Sequence, residues 1–188
     1  MRTLVVIGGP NGSGKTTATA YLVQKGRIKT SVINPDEIAL EELGGYSNQI
    51  ASAKIALRRR HEALENQLDL AFETTFSGNS EISDILKAKK AGYRLILYYI
   101  ALPSVVDNII RIEERQAELG HRVELVDTIR RFAKSKQNLL KHINLFDNAY
   151  LFDNSGNNRS RVAIFKNGKL LWLNSKHKEH PFYKELFI

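Results

Sequence analysis

The chain of 188 residues carries a formal net charge of +8 and is 43% hydrophobic, enough apolar material for one domain with a buried core. It holds no cysteine, which excludes disulfides and thiolate metal sites and makes a cytoplasmic location the expectation. Its longest apolar stretch, Leu95 to Leu102, is too short to cross a bilayer, Met1-Arg2 leads into a strand rather than a signal peptide, and the positive charge suits acidic ligands without choosing among nucleotides, nucleic acid and acidic proteins.

Strands alternate with helices along the chain, the pattern of a mainly parallel sheet covered on both faces. The first strand covers about residues 2 to 8, and a helix from Thr16 to about Gln24 stops at Gly26. Ser31-Val32-Ile33 is a short strand ended by Asn34-Pro35. From about Ser47 to Leu68, the residues Ile50, Ala53, Leu57, His61, Leu64 and Leu68 recur at three- and four-residue steps, predicting a long helix with that face inward. Ala71 to Thr75 is the next strand, Glu81 to Lys90 a helix closed by Gly92, and Arg94 to Ile100 a fully buried strand. Two polar helices, about Ser104 to Leu119 and Val123 to His142, precede a last core strand at Ala149 to Phe152. Farther on, Arg161 to Phe165 and Lys169 to Leu173, joined through Asn167-Gly168, predict a β-hairpin with a type I′ turn. Pro181 starts a short helix from His180 to Ile188. The chain thus reads as a single three-layer α/β domain, with a core over 1–156 and a C-terminal hairpin and short helix over 157–188.

The most informative segment is Gly9-Pro10-Asn11-Gly12-Ser13-Gly14-Lys15-Thr16, which matches G-x-x-x-x-G-K-[ST] directly behind the apolar run Leu4-Val5-Val6-Ile7. The glycines let the backbone wrap an anion so that successive N–H groups and the next helix N-terminus point at it. Lys15 reaches the β- and γ-phosphates, and the Thr16 hydroxyl is a Mg²⁺ ligand. In open α/β sheets ligands bind at the carboxyl ends of the strands, which directs attention to three further places. Asn34-Pro35-Asp36-Glu37 reads either as a helix start, with Asn34 as N-cap, or as a carboxylate that takes a proton from an acceptor hydroxyl. Glu73-Thr74-Thr75 closes a hydrophobic strand with a carboxylate that needs a metal-bound water, a substrate hydroxyl or a basic neighbour. Arg111, Arg115, Arg122, Arg130 and Arg131 read either as a mobile segment that neutralises transferring phosphate, or as a solvated face with pairs such as Arg111 with Glu114. Arg58-Arg59-Arg60-His61 reads as a solvated face, with Arg58 paired to Glu62 and His61 to Glu65.

Taken together, the phosphate loop, Asn34-Pro35-Asp36-Glu37-Ile38-Ala39, Phe72-Glu73-Thr74-Thr75-Phe76-Ser77-Gly78, Gly92-Tyr93, Gly120-His121-Arg122-Val123, Arg130-Arg131-Phe132, Ser135, Asn138-Leu139 and Asp153-Asn154-Ser155 resemble the zeta-toxin family of P-loop kinases over about residues 1 to 156. The resemblance implies a helical lid and transfer of the γ-phosphate of ATP, with GTP as an alternative donor and Mg²⁺ as cofactor, to the amino sugar of a UDP-N-acetylhexosamine. It implies Asp36 as base, Lys15 on the phosphates, and Arg115 and Arg131 as the lid arginines. Gly9 to Thr17 and Asn154 fall on the nucleotide side, and Asn34, Asp36, Glu73, Thr74 and Thr75 on the acceptor side. A separate antitoxin protein is the partner class it brings into view. Leu119-Gly120-His121-Arg122-Val123-Glu124 departs from the family, which has Gly-Gly-His and a proline after the valine. The rival readings are a kinase of another hydroxyl, such as an antibiotic, a sugar acid or a polynucleotide 5′ end, and a nucleotide- or nucleic-acid-binding module without phosphotransfer. Paired carboxylates in one cleft disfavour a polyanionic acceptor, and the absence of an Asn-Lys-x-Asp motif argues against a GTPase switch.

Overall fold

The computed structural model describes residues 1–45, 48–119 and 125–188, without the side chains of 115–119. Its elements in chain order are β1 (Thr3–Gly8), α1 (Lys15–Gln24), β2 (Val32–Ile33), α2 (Pro35–Glu41), α3 (Gln49–Glu65), β3 (Leu70–Thr74), α4 (Asn79–Lys90), β4 (Arg94–Ala101), α5 (Val105–Leu119), α6 (Leu125–His142), β5 (Asn148–Asp153), β6 (Ser160–Lys166) and β7 (Lys169–Leu173). Seven strands form one sheet in the order β2-β3-β1-β4-β5-β6-β7. The first five are parallel, and β6 and β7 run antiparallel.

Side chains alternate across the pleat of β1, and so each face gets its own core. Leu4 and Val6 join Phe72, Ile85, Leu97, Leu139 and Phe146 on the face covered by α4 and α6. Val5 and Ile7 join Ala18, Leu22, Ala71 and Ile100 on the face covered by α1. Parallel strands buried on both faces read as unbroken apolar runs, which is why β1 and β4 were legible. Among the described residues, no helix is long and apolar enough to cross a membrane.

The predicted hairpin forms, and both Asn167 and Gly168 take positive φ (50° and 74°), as a type I′ turn demands. It is not an appendage, however: β6 pairs along the whole of β5 and carries the sheet onward. The predicted terminal helix does not form. Only a 3₁₀ turn at Lys184–Leu186 appears, because Phe182 and Tyr183 are drawn into the core and Tyr183 donates its hydroxyl to the Phe152 carbonyl at 2.8 Å.

Helix α3 is also rotated from its predicted face. Its buried residues are Ser52, Ala56 and Arg60, whereas Ile50 is 77% exposed and Leu68 lies beyond the helix. A buried ion pair sets this orientation. Arg60 Nε donates to Asp84 Oδ2 at 2.8 Å, its guanidinium lies 5.0 Å from the Phe72 ring centroid, and His61 Nε2 lies 3.0 Å from the other Asp84 oxygen. Arg59 makes two 2.7 Å bonds to Glu42. Of the run read as a solvated face, Arg58 keeps its predicted place, exposed beside Glu62. Arg60→Ala would strand the Asp84 carboxylate with His61 alone; we expect a loss of about 3–5 kcal/mol, against under about 0.5 kcal/mol for Arg58→Ala, both measured by urea denaturation.

Candidate nucleotide and phosphoryl-transfer site

Strand register brings the candidate residues to one edge of the sheet. Gly8 pairs with Thr74 on one side and Tyr99 on the other, Ile33 pairs with Phe72, and Ala101 with Asp153. Asn34, the phosphate loop and Asn154 therefore follow strand ends, and Glu73 lies in the last residues of β3, all at the same edge.

The loop is held largely by its carbonyl oxygens. Asn154 Nδ2 donates to the Ser13 carbonyl at 3.0 Å, Asn108 Nδ2 to the Asn11 carbonyl, and Lys15 Nζ to the Pro10 carbonyl at 3.0 Å. With the Ser13 and Asn11 carbonyls tied to neighbouring elements, the start of α1 and the amides other than that of Ser13, which donates to the Pro10 carbonyl at 3.3 Å, can face an anion. Gly9, Gly12 and Gly14 are sterically required; a Cβ at Gly9 would collide with the Ile100 carbonyl oxygen. Gly12 has φ 75°, and a Cβ there would come within 2.6 Å of the Asn108 carbonyl oxygen. Gly14 has φ 88° and caps α1, and a Cβ there would collide with Asn154 Nδ2. Thr16 and Thr17 lie exposed in the first turn of α1.

Glu73 is 5% exposed and accepts from the Thr16 hydroxyl at 3.2 Å through Oε2. Its Oε1 is buried without a hydrogen-bond partner; the Thr19 hydroxyl stands near without completing a bond. Burial pushes the Glu73 carboxyl above the usual carboxylate range, Thr19 and Lys15 work against that, and the charge of Glu37 adds to it. The sequence reading put Glu73 toward the acceptor; its bond to Thr16 brings it beside the hydroxyl read from sequence as a Mg²⁺ ligand. An unpartnered carboxylate oxygen next to that hydroxyl fits a hydrated divalent cation.

Asn34 is the N-cap of α2, accepting from the Asp36 amide at 3.0 Å. The capping role thus belongs to Asn34, and the Asp36 carboxylate is exposed with no hydrogen bond or ion pair among the described residues. Glu37, read from sequence as part of the helix start, has its carboxyl raised mainly by burial, and its charge is felt at Glu73. Thr74 and Thr75 build the turn after β3. The Thr74 hydroxyl donates to Glu81 Oε1 and accepts from the Phe76 amide, both at 2.9 Å, while the Thr75 and Ser77 hydroxyls are 2.7 Å apart. Phe76 is fully buried at φ 58°, a strained conformation for an aromatic residue. Helix α6 holds it there: Ser135 donates to the Thr75 carbonyl and Asn138 to the Phe76 carbonyl at 3.0 Å.

Arg131 lies four residues before Ser135, on the α6 stripe of Thr128, Ser135 and Asn138, and rests 3.6 Å from Asp127. Arg130 pairs with Asp127 at 2.9 Å. Arg111 does not make the predicted pair with Glu114 as its hydrogen bond; it donates to the Asn154 carbonyl at 2.8 Å and braces the loop after β5. Arg115 lies in α5 seven residues beyond Asn108, with its side chain outside the described residues, as are His121 and Arg122 altogether. Asn108, fully buried, was missed from sequence. The available signal was topological, since a helix following the strand beside β1 begins next to the phosphate loop.

The fold is that of the zeta-toxin-like P-loop kinases. The chain is similar to a solved structure of AvrRxo1-ORF1:-ORF2 with ATP, at TM-score 0.72 and 19% identity, over 96% of this chain and 64% of that one. It thus spans under two thirds of that protein's length. It is also similar to a structure of the PezAT chromosomal toxin-antitoxin system of Streptococcus pneumoniae, at TM-score 0.60 and 18% identity, covering 87% of this chain and 71% of that one. No family model matches. An uncharacterized protein of Haemophilus influenzae is 32% identical over 116 residues, 60% of this chain and 80% of that protein, and the chain belongs to the same family.

Two outcomes are expected. Asn154→Ala leaves the Ser13 carbonyl without its donor and should weaken nucleotide binding by about 1–3 kcal/mol, read by calorimetric titration. Glu73→Gln should stabilise the free protein at alkaline pH. A carboxyl whose folded pKa is raised contributes stability below its unfolded pKa, and that contribution is lost as pH rises through the folded pKa. The melting temperature of the variant minus that of the wild type should therefore grow from near zero in acid to positive at pH 8.

Proposed function

We propose that the chain is an ATP-dependent small-molecule kinase that transfers the γ-phosphate to a sugar hydroxyl, the acceptor being a nucleotide sugar of the UDP-N-acetylhexosamine type. The observation that carries the kinase reading is the buried Glu73 carboxylate bonded to the Thr16 hydroxyl behind a glycine-rich loop whose Ser13 and Asn11 carbonyls are tied to Asn154 and Asn108. Thr16 would hold Mg²⁺ directly and Glu73 through water. When bound, the cation neutralises charge on the β- and γ-phosphate oxygens.

The chain's own residues supply the rest. The loop amides and Lys15, released from the Pro10 carbonyl, hold the phosphates. Asp36, at the start of α2 with its cap duty taken by Asn34, orients the acceptor hydroxyl and accepts its proton. Arg131 exchanges its long contact with Asp127 for the transferring phosphoryl group, and Arg115 is its counterpart on α5. The sugar acceptor is supported by the family resemblance and by the exposed Asp36 carboxylate, which repels a polyanionic nucleic-acid backbone. The basic net charge favours the diphosphate of an activated sugar. A separate antitoxin as partner and a cytoplasmic location belong to the same reading.

Lys15→Ala should abolish phosphotransfer while leaving the melting temperature nearly unchanged. Asp36→Asn should cost about 10²–10⁴ in turnover with a stability change under about 1 kcal/mol, because Asn34 is the cap. Arg115→Ala and Arg131→Ala should each lower kcat more than nucleotide affinity. Incubation with ATP, Mg²⁺ and UDP-N-acetylglucosamine should yield a product one phosphate heavier by mass spectrometry. Labelling of an oligonucleotide 5′ end in its place would overturn the acceptor.

A further inference from the structure

Away from the phosphate loop, the described residues bring three metal-capable side chains together at the end of β5. Asp153 closes that strand, and His177 and His180 come from the segment after β7, with candidate ligand atoms all within 4.8 Å of one another. Asp153 and His180 are buried, and the Nε2 of His180 has no hydrogen-bond partner. That atom is 3.6 Å from Asp153 Oδ1, and His177 Nδ1 is 3.9 Å from Asp153 Oδ2. Both separations are too long for hydrogen bonds. Metal bonds of about 2.0–2.1 Å at tetrahedral angles place ligand atoms about 3.4 Å apart, so the two pairs with Asp153, made through different oxygens, stand close to that spacing, while the set as a whole, up to 4.8 Å apart, must contract around the cation.

The surroundings are those of a prepared site. The second nitrogen of His177, Nε2, lies 2.9 Å from the Ser160 hydroxyl. The Ser155 amide and hydroxyl donate to the two Asp153 oxygens at 2.9 and 2.8 Å. Such outer partners set ring and carboxylate orientation around a metal. We infer that Asp153, His177 and His180 form a binding site for a zinc-type transition-metal cation, with a fourth position left for water. Two imidazoles and one carboxylate suit such a cation and are poor ligands for Mg²⁺ or Ca²⁺. The Phe182 amide now donates to His180 Nδ1 at 3.2 Å, so the proton of the neutral ring sits on Nε2. Ligation moves it to Nδ1 and gives up that long contact, shifting the turn at Pro181 and Phe182. Asn154, the next residue, holds the phosphate loop, so the cation would lock the C-terminal segment onto the strand that supports it.

The test uses the full, untagged chain stripped with a chelator. Calorimetry with Zn²⁺ should give one site per chain, with a raised melting temperature that Mg²⁺ does not reproduce. Co²⁺ should give the visible absorption bands of a tetrahedral site, and near-UV dichroism should report the shift of Phe182 and Tyr183. His177→Ala, at the rim, should lose more affinity than the roughly 10- to 100-fold that removal of an outer partner costs, whereas His61→Ala should bind as the wild type does. Absence of Zn²⁺ uptake, an octahedral Co²⁺ spectrum, or unchanged binding by His177→Ala would overturn the site. The first two are read on the wild-type chain and stand even if the variant fails to fold, and none depends on phosphotransfer.

Discussion

An anion-binding loop must leave most of its amides unused, and apart from the Ser13 amide, which donates to the Pro10 carbonyl at 3.3 Å, that constraint governs the edge of the sheet where the candidate site lies. A loop whose N–H groups bonded to its own chain would be stable and unable to bind phosphate. Here much of the bonding is on the carbonyl side: Asn154 on Ser13, Asn108 on Asn11, Lys15 on Pro10. These donors come from the ends of β5 and α5 and from the loop itself. The order β1-β4-β5, the close approach at Gly12 and Gly14, and the Arg111 bond that steadies Asn154 all serve to tie the Asn11 and Ser13 carbonyls to neighbouring elements, while the Pro10 carbonyl is held within the loop by Lys15 and the Ser13 amide.

The second expense is concentrated on β3. Glu73 buries a carboxylate with one oxygen unpartnered, and three residues on Phe76 holds a positive φ in the core. Neither helps the free fold. Both persist because neighbours over-determine them: Thr16 and Lys15 act on Glu73, while Thr74, Ser135 and Asn138 fix the carbonyls and amide around Phe76. Strain held in place by surrounding structure in this way collects at functional sites, which accords with the proposed function. It also couples α6, with Arg131, to the turn that carries Thr75.

The C-terminal segment completes this edge rather than decorating it. Strand β6 extends the sheet, Tyr183 returns to the Phe152 carbonyl, and His177 and His180 close on Asp153 one residue before Asn154. The tail therefore bears on the same strand end that holds the phosphate loop.

The amino-acid sequence by itself determined the phosphate loop, the parallel core and the hairpin turn, because each is dictated by local chemistry: glycines that permit positive φ, apolar runs buried on both faces, Asn-Gly at a two-residue loop. It also marked Asn34, Asp36 and Glu73, with Asn34 as the N-cap of one reading, but not that Glu73 would be buried against the Thr16 hydroxyl. Tertiary structure alone decided that Arg60 faces inward to Asp84, that Asn108 supports the loop, that the last residues stay out of a helix, and that Asp153 meets two histidines. Each depends on a partner more than twenty residues away, or on burial of neighbouring aromatic rings, and local pattern records neither.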